Sequence, residues 1–108
     1  MTAGMMLLFL LAGHALADYP LQGEFLALGK NRHTKIGAEW WPWLLTSHAV
    51  IHGAFVAALT GSLGLGVAEI VVHWATDWLK CENKISFHTD QTIHVICKLV
   101  WLFIWSHS

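Results

Sequence analysis

The chain has 108 residues, 56% of them hydrophobic and 12% charged, with six Lys and Arg against seven Asp and Glu. That apolar share exceeds the roughly 45–50% of an ordinary soluble domain and points to one small membrane domain. Near-neutral charge with no basic patch excludes nucleic acid as a partner. Cys81 and Cys97 lie in no CxxC or CxxH spacing, so neither a disulfide framework nor a thiolate metal site is expected.

The first apolar run, MTAGMMLLFLLAGHALADYP, ends in Ala-Leu-Ala before Asp18 and so resembles a secretory signal with its cleavage site. No basic residue precedes the run, and residues 3–19 are read as a retained helix. A polar connection, 20–39, follows. Gly29, Gly37 and Pro42 punctuate it, and Glu24 to Leu28 can form a short interfacial helix. A second apolar run covers 40–60, the turn GSLGLG leads into a third over 63–80, and CENKISFHT leads into a fourth over 89–106. Each run is near the roughly 20 residues that cross a bilayer. None alternates with period 2, and a lipid-embedded backbone must satisfy its own hydrogen bonds, so helices are predicted. The expected fold is all-α: an integral membrane four-helix bundle, up-down-up-down, forming a single domain over 1–108.

Lys30, Arg32 and Lys35 fall in the first connection and Lys80 and Lys84 around the last, while the N-terminus and the middle turn carry no Lys or Arg. The positive-inside rule then makes both basic connections cytoplasmic and puts both termini outside, in a bacterial inner membrane. Trp40, Trp41, Trp43 and Trp78 fit an aromatic belt at the cytoplasmic interface, with Trp101 and Trp105 marking the opposite one.

Each predicted helix also carries a His/Asp or His/His pair at i, i+4: His14 and Asp18, His48 and His52, His73 and Asp77, Asp90 and His94. Residues four apart share a helical face, so each pair aims at one point. In the expected bundle all eight come to the cytoplasmic half at similar height. Imidazole and carboxylate are the donors of zinc, iron and manganese, and bundles build two-metal sites by projecting such pairs inward. Five imidazoles favour two zinc ions, with iron or manganese as alternatives. A water activated between such ions is a hydrolytic nucleophile. Ionisable groups at membrane depth mark a functional site by default.

Competing readings are a hydrogen-bonded or proton-relaying polar core, and b-type haem held by facing histidines, which leaves the aspartates unexplained. Glu69, one turn before His73, is a candidate general base or outer partner. Lys80, one turn past Asp77, is a candidate phosphate binder or a snorkelling side chain. Lys98 either pairs with a buried acid such as Glu69 or lines a polar cavity. Gln22 and Gln91 adjoin the cluster and can orient ligands, whereas His33, His88 and His107 are expected in solvent.

The segments GHALADYPLQ, HAVIHG, VHWATDWLK and DQTIHVICK, in this order over nearly the whole chain, resemble the small His-rich membrane proteins of phages and bacteria grouped as domain of unknown function 3307. The resemblance implies an integral membrane bundle, often phage-borne, and carries no activity. The cluster is also similar in style to bacterial membrane-bound metal-dependent hydrolases, whose motifs it does not match residue by residue. The leading expectation is a metallohydrolase acting on a lipid-linked or amphipathic substrate at the cytoplasmic leaflet. A metal-ion or proton transporter, and a non-catalytic phage membrane protein with a structural metal, are the alternatives. The apolar exterior of so small a bundle leaves homo-oligomers open.

Overall fold

The computed structural model describes residues 1–108 as five α-helices and no strand: α1 (Ala3–Asp18), α2 (Gly23–Gly29), α3 (Gly37–Thr60), α4 (Leu63–Cys81) and α5 (Phe87–Ser106). Hydroxyl caps fix three of the starts. Thr2, Ser62 and Ser86 each accept a hydrogen bond from the backbone N–H three residues on, of Met5, Leu65 and Thr89, at 3.1 Å in each case. Gly61, at φ +70°, closes α3 in the left-handed conformation that suits glycine, and the chain turns directly into α4.

The helix predicted to begin at residue 40 begins at Gly37, so Pro42 lies inside α3 rather than marking its boundary. The ring removes the N–H that would bond the Ala38 carbonyl, but the first turn is already secured by Ala38 and Trp40 donating to Thr34 and Ile36. The short helix expected in the first connection is α2. It is bent by 84° from α1, across a break at residues 19–22 that ends in Gly23 at φ +68°.

The four long helices form a ring in which α1 touches α3 and α5, and α4 touches α3 and α5, while α2 lies against α3. The tightest seam is α3–α4. A Cβ on Gly53 would stand 2.7 Å from the Gly66 carbonyl oxygen, and one on Gly66 would stand 2.6 Å from the Ala57 Cβ. Only glycine at these two positions allows the helices this close.

The interior is rich in polar groups. Eleven buried residues are polar or charged and nine are hydrophobic, while Leu8, Phe9, Leu63, Val71, Ile96 and Phe103 stand exposed. A smaller apolar core of Met6, Leu10, Val56, Leu65 and Trp101 fills the half of the ring near the N-terminus of α1 and the α3–α4 turn. By length and hydropathy α3 alone is sufficient to cross a membrane, and α1 with α2 qualifies only as a bent pair. Buried Glu69, His73 and Asp77 in α4, and Asp90, His94 and Lys98 in α5, dilute the apolar character of the other two.

A buried five-histidine centre

All five helix histidines converge. His14 comes from α1, His48 and His52 from α3, His73 from α4 and His94 from α5, and each is at most 8% exposed. The rings of His52, His73 and His94 stack, with centroids 3.6 Å and 4.0 Å apart, while His48 meets His52 edge-on at 4.7 Å and His14 lies tilted 4.9 Å from His52. The i, i+4 spacing supplies each helix's contribution, and the glycine seam lets α3 and α4 bring theirs together.

Asp18 is the acid that meets three of these rings. One carboxylate oxygen lies 2.8 Å from His52 Nε2 and 3.2 Å from His48 Nε2, and the other lies 3.1 Å from His14 Nε2. Gln91 donates to that second oxygen at 3.1 Å and to Asp90 at 3.1 Å. Donor atoms of Asp18, His48, His52 and His73 all lie within 4.8 Å of one another, as do those of Glu69, His73 and His94.

The other two aspartates expected as ligands are held differently. Asp77 carries two ammonium groups, Lys30 at 2.8 Å and Lys80 at 3.1 Å, and Asp90 faces His94 at 3.2 Å with Lys80 at 4.0 Å. Lys30 corrects a sequence expectation. Counted there among the loop charges that set orientation, it is 5% exposed and also donates to Gln22 at 2.6 Å, because the bend into α2 turns the chain back over the centre. Lys80 remains about a quarter exposed and approaches the Phe87 ring at 5.9 Å. Lys98 takes the first of its two options and donates to Glu69 at 2.7 Å. Trp101, expected at a membrane interface, is instead buried and donates its indole N–H to the other Glu69 oxygen at 2.6 Å. Glu69 therefore has both oxygens engaged, with His73 Nδ1 3.4 Å away but not hydrogen-bonded to it.

The charges do not balance within the interior. Lys30, Lys80 and Lys98 answer Asp77, Asp90 and Glu69, but Asp18 has only imidazoles and an amide around it. The Nδ1 atoms of His14, His48, His52, His73 and His94 are buried without a hydrogen-bond partner, as is His48 Nε2. Buried polar atoms without partners are costly and rare. An unmatched carboxylate among imidazole lone pairs is the donor chemistry of a divalent cation, and three imidazoles with one carboxylate make a four-donor set that suits zinc.

His88 and His107 are exposed, as expected. His33 is exposed too, and joins Arg32 in gripping Glu82 at the end of α4. That grip holds the Glu82 carboxyl down from its usual 4.5 to about 2, through the Arg32 hydrogen bonds first and His33 second. Cys81 and Cys97 are both free.

Comparison with the curated proteins and with the solved structures finds no match to this chain. A family model described as "Protein of unknown function (DUF3307)" matches residues 6–108, which include every residue of the centre. The chain therefore belongs to the DUF3307 family.

Proposed function

We propose that this chain is a membrane-embedded metal-binding protein, and that its centre is a zinc-type hydrolytic site for lipid-linked or amphipathic anionic substrates. The observation that carries the metal is the Asp18 carboxylate without an ammonium partner, set among imidazoles with unpaired nitrogens. His48, His52, His73 and Asp18 are the proposed ligands.

The membrane reading is supported by the polar interior and by where the exposed charges lie. Glu24, Arg32, Lys35, Glu39 and Lys84 are the exposed acidic and basic residues; the first four belong to α2, the start of α3 or the connection between them, and Lys84 to the α4–α5 connection. The rest of the long helices presents apolar side chains outward, as lipid requires. With α3, α4 and α5 about 28–36 Å long at 1.5 Å per residue, each matches a hydrocarbon core of about 30 Å. The charged end is then the cytoplasmic face.

Bound there, a divalent ion would supply Lewis acidity and an activated water. Hydrolysis needs an open position in the donor set. Asp18, the last residue of α1 and at 11% the most exposed of the four donors, is the donor proposed to share its position with water. Lys80, about a quarter exposed beside Asp77 and Asp90, is the proposed contact for an anionic headgroup. A transport reading is disfavoured by the apolar core of Met6, Leu10, Val56, Leu65 and Trp101, which closes the path toward the opposite face.

A second reading, a structural metal centre without turnover, is favoured by one observation. The five rings fill the interior, and the one apolar groove lies elsewhere, on the outer α3–α4 face along Val50, Ala54, Val67 and Ile70. Zinc-loaded protein in detergent, assayed on phosphoesters and lipid-linked diphosphates, separates the two. Turnover lost in Asp18→Asn supports the hydrolase; a metal-loaded wild type inert on the whole panel leaves the structural centre.

A further inference from the structure

The second donor group, Glu69, His73 and His94, shares His73 with the first and by composition is also a cation site. It differs in one respect: a cation is already there. Lys98 Nζ lies 2.7 Å from Glu69 Oε1, its side chain is 2% exposed, and Trp101 covers the other oxygen of the same carboxylate. Lys98 enters from α5 one turn beyond His94, so the same helical face delivers both the imidazole and the ammonium.

Resting on the metal centre argued above, we propose that the Lys98 ammonium is a built-in cation occupying the second position of the centre. The wild-type chain then holds one metal ion, on Asp18, His48, His52 and His73, rather than the pair that the donor count alone suggests. A dication at Asp18 answers the one carboxylate the lysines leave unmatched. A second dication at Glu69 would share its carboxylate with an ammonium a few ångströms away in a low-dielectric interior, where like charges repel strongly. Lys98 and the Trp101 indole N–H engage both Glu69 oxygens, which leaves neither free for a second ion. Lys98 is thus a positioning residue that sets how many ions the centre accepts.

The test is the zinc stoichiometry of detergent-purified protein after saturation with zinc and desalting, read by inductively coupled plasma mass spectrometry. Wild type, Lys98→Met and Lys98→Arg are compared, with helical content checked by circular dichroism. The expected result is one equivalent in wild type and in Lys98→Arg, and two in Lys98→Met, the added equivalent disappearing when His94→Ala is combined with it. A folded Lys98→Met that binds no more zinc than wild type overturns the proposal. If Lys98→Met does not fold, the wild type decides: one equivalent supports the proposal and two overturn it. No zinc in wild type but one equivalent in Lys98→Met would remove the Asp18 centre and leave the assignment of Lys98 standing. None in either removes both.

Discussion

Replacing Gly53 by alanine tests whether the α3–α4 seam sets the geometry of the centre. The added Cβ would stand 2.2 Å from Ile70 Cγ1 and 2.7 Å from the Gly66 carbonyl oxygen. The isoleucine can rotate, but the carbonyl is part of helix α4, so the axes must separate by roughly half an ångström or more to restore van der Waals distance. Overpacking of this kind costs about 1–3 kcal/mol. Alanine's advantage over glycine inside a helix returns up to about 1 kcal/mol, so Gly53→Ala should be net destabilising by about 1–2 kcal/mol. The functional effect should be larger. His52 adjoins Gly53, His73 lies one turn past Glu69 and Ile70, and a metal site tolerates only about 0.5 Å of displacement; zinc affinity should fall more than tenfold. Gly64→Ala is the control, because its Cβ meets nothing nearer than Ser62 Oγ at 3.7 Å. Thermal melts in detergent, with zinc competition against a chelating dye, read both effects. A Gly53→Ala protein that melts with Gly64→Ala and keeps wild-type zinc affinity would refute the reasoning.

Other perturbations follow from the same contacts. Lys30→Met leaves Asp77 with Lys80 alone, and losing one member of a buried pair costs up to about 3–5 kcal/mol, less here because the second ammonium stays; a clearly lowered melting temperature is expected, with Lys35→Met unchanged. Lys80→Ala should raise KM for an anionic substrate while zinc content stays at the wild-type value; a fall in kcat alone would remove Lys80 from headgroup binding. Glu82 is held below its ordinary range in the folded chain, so its grip on Arg32 and His33 is fully present above about pH 4.5 and lost as pH falls toward 2. The difference in melting temperature between wild type and Glu82→Gln should therefore shrink over that window, and a constant difference would show that the contact does not act through the carboxylate.

The i, i+4 pairs made the cluster legible, because helical spacing alone decides which residues share a face. Six of the eight expected ligands, the five histidines and Asp18, do meet, and the all-α class follows from the same periodicity. Which acid stands without a cation was not legible. Asp18 and Asp77 look equivalent along the chain, and the distinction comes from Lys30, which reaches Asp77 only because the chain bends by 84° between α1 and α2. Trp101 was misplaced for a related reason: tryptophans at helix ends usually mark an interface, but here the buried Glu69 needs a donor for its second oxygen. Gly53 and Gly66 gave no distinct signal, since close approach is a property of two helices together. The Glu82 contact joins residues about fifty positions apart, and no local pattern announces it.

The account stands most directly on the metal content of the purified chain and of Asp18→Asn, measured side by side by inductively coupled plasma mass spectrometry. One equivalent of zinc or a similar divalent ion in wild type, and none in a folded Asp18→Asn, is the predicted result. Metal that persists after Asp18→Asn, or a wild type that cannot be loaded, would contradict it.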